Sequence, residues 1–315
     1  MAHWLILGGS GFVGRALAER LNRPEHDGNP RLLIPTRRAL HAVALGHLPR
    51  VDVTQADVHA DAELRALVAG AEVAVNLVGT LHGDEGEFER VHVELPRRLA
   101  AACRAEGTRI LHVSALGAAP DAPSMYLRSK ARGEAALRDS GVACTLLRPS
   151  VIFGVGDHLL NLFARLQRWA PVVPLAAADA RFQPVWVGDV AEAMARCIER
   201  PEAIGQAYEC VGPEEMSLAE LVQAAGRYAG RERPVLPLPR ALGELQAALM
   251  GLWPGTPLLT RDNLASMRVP SVATLGSPGL DALGIRPTPL SAVAPSVLGH
   301  EQGTERLDVA RARQR

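Results

Sequence analysis

Aromatic side chains are scarce in this chain: Phe, Trp and Tyr make up 4 % of its 315 residues. Much of the packing must therefore come from Leu, Val and Ala. An excess of either charge is also lacking, with 34 Lys plus Arg against 34 Asp plus Glu. No surplus of positive charge exists to neutralise a phosphate backbone, so nucleic acid is not an expected partner. Basic residues do gather at Arg306, Arg311, Arg313 and Arg315, and the segment 301–315 reads as a solvated, flexible tail. Cysteine is limited to Cys103, Cys144, Cys197 and Cys210, without a C-x-x-C pair. Their helix- and strand-like surroundings suit buried free thiols in a reducing compartment. The histidines form no H-x-x-x-H pair and no His/Cys cluster of ligand spacing, so no metal site is expected. No apolar run approaches the roughly 18–20 residues of a membrane helix, and no transmembrane segment is expected. The chain opens directly on a strand and a glycine loop, which leaves no room for a signal peptide. A cytoplasmic protein is expected, with peripheral attachment at a membrane left open.

What is present is an alternation. Apolar runs at His3–Leu7, Arg31–Pro35, Val51–Thr54, Val73–Leu77, Ile110–Val113 and Cys144–Leu147 read as strands. Between them lie helical patterns at Phe12–Arg23, Ala62–Ala69, Glu87–Glu106 and Tyr126–Arg138, with Pro96 inside the third as a kink or break. Strands alternating with helices predict an α/β, doubly wound parallel sheet covered on both faces, the Rossmann arrangement. After residue 150 the rhythm changes. Asp157–Trp169 and Val187–Arg200 read as helices around a Pro- and Ala-rich stretch, Ala170–Pro184, and Ser217 with Glu220 forms a capping box. The expected organisation is a nucleotide-binding domain over 1–204 with a lobe insertion near 152–184, then a smaller, discontinuous C-terminal lobe over 205–300. Leu238, Leu242, Leu245, Leu249 and Leu252 fall at helical spacing and read as a core face.

Gly8, Gly11 and Gly14 stand directly between the first strand and the first helix (GGSGFVG). Gly8 permits a tight turn, Gly11 allows backbone to approach a pyrophosphate, and Gly14 allows close packing. The helix N-terminus behind them offers N–H groups to an anion. The second strand ends in Pro35-Thr36-Arg37-Arg38, without the acid that would hold a ribose 2′-hydroxyl. Arginine suits a 2′-phosphate instead, which favours NADP(H) over NAD(H). Tyr126 and Lys130 form Y-x-x-x-K, whose i, i+4 spacing puts both on one helix face. A neighbouring ammonium is expected to lower the phenol pKa and allow proton exchange with a substrate oxygen. Ser114, at the end of the fifth strand, could hydrogen-bond the same oxygen.

Together these residues resemble the short-chain dehydrogenase/reductase superfamily in its extended or atypical branch. The resemblance casts Ser114, Tyr126 and Lys130 as the catalytic triad, with Lys130 also holding the nicotinamide ribose. It implies cofactor contacts from Gly8, Ser10, Gly11, Phe12, Val13 and Gly14 in the glycine loop. It implies others from Arg37, from Asp57 and Val58 near the adenine, from Asn76 and Gly79 beneath the adenosine ribose and phosphates, and from Pro149 and Val151 beside the nicotinamide amide. HVSALGA, SMYLRSKARGE, RPSVIFGVGD and FQPVWVGDVA, in that order, are similar to the branch that holds the nucleotide-binding accessory subunit of respiratory complex I and its bacterial relatives.

Three functions fit. One is an NADP(H)-dependent oxidoreductase acting on a carbonyl or alcohol, with the small-molecule substrate unread. Another is a non-catalytic accessory or assembly protein that binds the dinucleotide and docks peripherally on a respiratory membrane complex. The third is a nucleotide-sugar epimerase or dehydratase with tightly held NAD.

Overall fold

A computed structural model describes residues 3–23, 30–250 and 259–299 of the chain. The basic tail 301–315 and Leu252 lie outside the described residues. Six strands alternate with helices along the first half: β1 (His3–Leu7), α1 (Phe12–Leu21), β2 (Arg31–Thr36), β3 (Val51–Gln55), α2 (Asp61–Val68) and β4 (Ala71–Asn76). There follow α3 (Glu85–Glu89), a π-helical turn (Arg90–Glu94), α4 (Leu95–Glu106), β5 (Arg109–Val113), α5 (Met125–Asp139) and β6 (Cys144–Pro149). The second half supplies β7 (Ile152–Phe153), α6 (Leu159–Trp169), β8 (Val173–Leu175), β9 (Arg181–Phe182), β10 (Val185–Trp186), α7 (Val187–Glu199) and β11 (Ala207–Cys210). It ends in β12 (Met216–Ser217), α8 (Leu218–Tyr228), β13 (Val235–Pro237), α9 (Arg240–Met250), α10 (Arg261–Ser266) and α11 (Leu290–Leu298).

The chain divides into two compact units. The first holds Met1–Pro149, Val187–Cys210 and Ala273–Arg286. Its sheet has seven strands in the order β11-β6-β5-β4-β1-β2-β3, and every pairing in it is parallel. This is the doubly wound Rossmann sheet. Side chains alternate across it as the strand period requires. Leu5 and Leu7 pack with Leu64 and Val68 of α2 and with Leu95, Leu99 and Cys103 of α4. Helix α1 packs on α7, and the Arg20–Glu192 ion pair joins the two. Arg109 of β5 donates to the carbonyls of Cys197 and Ile198 at 2.7 and 3.0 Å, which satisfies the exposed end of α7 and opposes its dipole.

The strand β11 carries the sheet past the expected end of the domain at residue 204. Its four residues, AYEC, include Glu209 and do not read as an apolar run. Its edge is covered by segment 273–286, where Pro278 O accepts from Glu209 N at 2.9 Å and Glu209 Oε2 from Thr274 N at 2.6 Å. Covering an edge in this way removes a template for aggregation.

The second unit holds Ser150–Trp186, Val211–Val272 and Pro287–Arg315. Three two-stranded pairs, β7–β10, β9–β12 and β8–β13, surround helices α6, α8 and α11. The core is built on Phe153, Phe163, Leu221 and Leu290. Gln167 is fully buried there, donating to Val222 O at 2.6 Å and accepting from Arg233 N at 2.9 Å. The expected capping box is present at Ser217 and Glu220. The leucine face of α9 differs from expectation: Leu242 and Leu245 are 51 % and 55 % exposed. Helical spacing defines a stripe but not what covers it.

The glycine loop is a tight piece of backbone. A Cβ on Gly14 would lie 2.4 Å from Gly9 Cα, whereas one on Gly46 would meet nothing nearer than 3.4 Å. Gly14→Ala is expected to lower the unfolding free energy by about 3 kcal/mol through overpacking, while Gly46→Ala stays within about 1 kcal/mol; urea titration of both checks this.

Candidate functional site

The site begins where β1 bends into α1. Gly8 adopts φ +77°, a conformation that favours glycine. A Cβ there would press on the Leu77–Val78 backbone at 3.1–3.2 Å. Gly11 is the N-cap of α1, and no side chain caps the helix. Helix geometry leaves the first amides, those of Phe12, Val13 and Gly14, without intrahelical acceptors. Ser10, Phe12 and Val13 are half-buried and Gly11 is exposed. Gly9 is a further requirement that sequence reading missed, since a Cβ on it would strike Ile34 Cγ2 at 2.8 Å.

The neighbouring strand ends add polar groups. Arg37 and Arg38 are exposed at the end of β2. Asp57 is exposed and accepts from His59 N at 3.0 Å. Val58 packs against the main core. The His59 imidazole is held below its usual pKa by burial and then by Arg90, with Arg98 and Arg37 adding to the effect against Asp57.

At the ends of β4 and β5 the side chains are buried and their hydrogen bonds define protonation. Asn76 Oδ1 accepts from Val78 N at 3.1 Å, so its amide nitrogen donates to His112 Nδ1, also at 3.1 Å. The proton of His112 is therefore on Nε2, an atom with no partner among the described residues. Burial, helped by Lys130, pushes the His112 pKa down to about 3. Ser114 lies two residues on, on the same strand face, 4 % exposed and with its Oγ unpartnered among the described residues.

Helix α5 brings Tyr126 and Lys130 to this place. Its N-cap Ser124 accepts from Leu127 N, fixing the first turn just before Tyr126. Lys130 is 6 % exposed, and its ammonium donates to Val113 O at 3.2 Å. Burial lowers its pKa to about 8, with Glu134 pulling the other way. A Cβ on Gly79 would meet Lys130 Nζ at 3.3 Å and His92 Nε2 at 3.6 Å. The ring of Tyr126 stands edge-on to His92 and Phe88, with centroids 5.5 and 6.2 Å apart.

The Tyr126 pKa differs from expectation. Burial raises it to about 12, and the lysine four residues on does not bring it down. The reason is geometric: Lys130 Nζ is turned to the Val113 carbonyl, and desolvation governs the phenol.

The structure thus brings together Gly8, Asn76, Gly79, Ser114, Tyr126 and Lys130 in the first unit. Pro149 is buried at the end of β6 in the same unit. Val151 belongs to the second unit, where it packs against the core.

Residues 4–210 match the NAD dependent epimerase/dehydratase family. The chain belongs to that family. It is 33 % identical over 301 residues to the mitochondrial NADH dehydrogenase [ubiquinone] 1 alpha subcomplex subunit 9 of Rattus norvegicus, covering 93 % of this chain and 78 % of the relative. It is 30 % identical over 251 residues to the ceramide reductase of Caulobacter vibrioides, covering 79 % of this chain and 77 % of that one. Among solved structures, the NADPH-dependent quinone oxidoreductase of Escherichia coli, complexed with NADPH, superposes with a TM-score of 0.73 at 22 % identity, covering 94 % of this chain and 99 % of that one. A nucleoside-diphosphate-sugar epimerase from Staphylococcus aureus gives a TM-score of 0.74 at 17 % identity, covering 93 % and 99 %. The epimerase/dehydratase family fold is thus the NAD(P)-binding Rossmann fold expected from the alternation of strands and helices.

Sequence reading missed His92, Thr80 and Ser129. His92 Nε2 accepts from Thr80 N at 3.1 Å, and Nδ1 meets Ser129 Oγ at 2.8 Å. The signal was Pro96: a proline cannot donate to the carbonyl four residues back, which is that of His92. The helix neither kinks apart nor ends there but passes through a π-helical turn at Arg90–Glu94. Such turns recur at functional sites.

All four cysteines are buried and free. Among the described residues, no group of three or more His, Cys, Asp or Glu could hold a metal ion, and no helix is long and apolar enough to cross a membrane.

His92 and His112 have pKa values near 2 and 3 when folded, with burial as the first cause of each. Unfolded, each titrates near 6.5. Their neutral burial therefore costs nothing above about pH 7 and costs stability as pH falls below about 6.5. Each histidine is expected to remove about 1.4 kcal/mol per pH unit between pH 6 and 4. Urea unfolding across that range checks it, and a flat profile contradicts the neutral assignment.

Proposed function

We propose that this chain is an NADP(H)-dependent oxidoreductase that reduces a carbonyl group. The observation that carries the reading is the buried constellation at the end of β5. Lys130 is fixed on Val113 O, the adjacent Ser114 Oγ is buried and unpartnered among the described residues, and Tyr126 stands one helical turn before Lys130 on α5 with its ring against His92.

The residues present fit a dinucleotide. The positive φ of Gly8 and the close backbone at Gly9 and Gly14 make a cradle that side chains would fill. The uncapped start of α1 offers amides to a diphosphate. Gly8, Ser10, Gly11, Phe12, Val13 and Gly14 would hold the diphosphate. Asp57, Val58, Asn76 and Gly79 would hold the adenosine side, and Lys130 and Pro149 the nicotinamide side. Arg37 would hold a 2′-phosphate, supported by its exposure and by the missing acid at the end of β2. When bound, the reduced cofactor supplies a hydride to the carbonyl carbon.

The chain's own residues account for the proton. A phenol with its pKa raised to about 12 is protonated at neutral pH and can donate to a carbonyl oxygen. Tyr126 donates to the carbonyl oxygen, Ser114 hydrogen-bonds that oxygen, and Lys130, fixed on Val113 O, holds the nicotinamide ribose. A pKa near 8 keeps Lys130 charged at neutral pH.

A second reading is an accessory subunit that binds the dinucleotide and docks peripherally on a respiratory membrane complex. The likeness to the rat subunit over 93 % of this chain favours it. An epimerase with resident NAD is opposed by the absence of an acid at the end of β2.

Tyr126→Phe is expected to lower carbonyl reduction by about 100-fold or more while the Kd for NADPH stays within about threefold. Loss of binding with turnover would contradict the proton-donor role. If the variant retains its cellular role and respiratory subunits copurify with it, the accessory reading wins. Reductase kcat/KM is expected to fall as pH rises through about 8, where Lys130 loses its proton. Arg37→Glu is expected to weaken NADPH but not NADH, and equal loss for both contradicts the 2′-phosphate role.

A further inference from the structure

The π-helical turn Arg90–Glu94 buries Val91, His92 and Val93. His92 is the polar one of the three, 1 % exposed. Its backbone is as constrained as its ring: a Cβ on Gly133 would lie 2.0 Å from the His92 carbonyl oxygen, so α5 approaches this turn at a glycine.

The hydrogen bonds around the ring admit one protonation state. Thr80 N–H donates to Nε2 at 3.1 Å, so Nε2 carries a lone pair. In a neutral ring the proton is then on Nδ1, which donates to Ser129 Oγ at 2.8 Å. The Ser129 hydroxyl passes its own proton to Tyr126 O at 2.7 Å. A protonated ring would lose the Thr80 bond and place a second cation beside Lys130. The same ring stacks on Phe88, with centroids 5.5 Å apart at 23°, and meets Tyr126 edge-on at 5.5 Å and 77°.

We propose that His92 is a positioning residue, a neutral two-ended tether that ties the backbone of the Gly79–Thr80 loop to the first turn of α5, which carries Tyr126 and leads to Lys130. The Nε2 end holds the loop whose Gly79 lies against both His92 and Lys130. The Nδ1 end holds the backbone of Tyr126 through Ser129. An apolar side chain of equal size would fill the space but leave the Thr80 amide and the Ser129 hydroxyl without this partner. The consequence for turnover rests on the reductase reading; the tether itself does not.

Two substitutions separate the ends of the ring. Asparagine places its polar atoms where Nδ1 stands and falls short of Thr80. Glutamine reaches the position of Nε2 and gives up the bond to Ser129. In the full chain without nucleotide, the Thr80 amide is expected to exchange about tenfold faster in His92→Asn, the equivalent of one hydrogen bond. It should stay within about threefold of wild type in His92→Gln. With NADPH as the probe, Kd is expected to rise about tenfold in His92→Asn and about threefold or less in His92→Gln. His92→Gln and Ser129→Ala should both lower kcat with KM unchanged.

Equal acceleration of Thr80 exchange in both variants, or acceleration in neither, overturns the tether. Nitrogen NMR of wild-type imidazoles provides a reading that needs no variant to fold. His92 is expected as the Nδ1–H tautomer without titration between pH 5 and 8, and an Nε2–H tautomer or a titration in that range overturns the proposal. If wild type binds neither NADPH nor NADH, the reductase reading falls, while amide exchange and tautomer still decide the tether.

Discussion

A single buried ammonium organises the end of the sheet. Lys130 is 6 % exposed, and a charge taken out of water must find compensation nearby. The Val113 carbonyl supplies a hydrogen bond and Glu134 a more distant attraction. Lys130 sets conditions on its surroundings in turn. Both nearby imidazoles, His92 and His112, are neutral, with Lys130 second only to burial in holding them so. A neutral imidazole has one donor and one acceptor, so each ring must be met by a complementary pair of groups. Asn76 meets one nitrogen of His112. Thr80 and Ser129 meet both nitrogens of His92.

The backbone supplies the complementary half of the arrangement. Strands β1 and β4 end side by side, and the loop after each is shaped by close contact with the other: Gly8 lies on the Leu77–Val78 backbone. The Gly79–Thr80 segment that follows reaches Lys130 and His92. The glycine turn at one end of the site and the titratable cluster at the other are therefore parts of one tightly packed backbone. The π-helical turn before α4 belongs to the same construction, because it presents His92 where Pro96 leaves the preceding carbonyl free of its usual partner.

The fold is shared by proteins with different activities. A reductase, a respiratory subunit and an epimerase all appear among the proteins similar to this chain. Architecture therefore cannot assign a reaction. What the site itself offers is a protonated phenol, which can donate, and a single strong cation, the Lys130 ammonium, beside two neutral imidazoles. The proposed division of labour between Tyr126, Ser114 and Lys130 is built on these groups.

Local chemistry alone determined much of this molecule. Short apolar runs bounded by turns specify six of the seven sheet strands. The glycine spacing specifies the first turn, because only glycine takes the backbone conformation at Gly8 and admits the approach at Gly14. The i, i+4 spacing places Tyr126 and Lys130 on one face of α5. Tertiary structure decided what those groups became. It recruited β11, whose four residues include Glu209 and do not read as an apolar run, by pairing them with β6. It left Leu242 and Leu245 exposed on a stripe that spacing alone would bury. It turned Lys130 to a strand carbonyl, so that desolvation raised the Tyr126 pKa instead of a neighbouring charge lowering it. It made Pro96 the mark of a π-helical turn and His92 a member of the site. Periodicity and backbone conformation act over a few residues and can be read along the chain. Burial, tautomer and proton affinity are set by groups distant in sequence, and they exist only once the chain has folded around them.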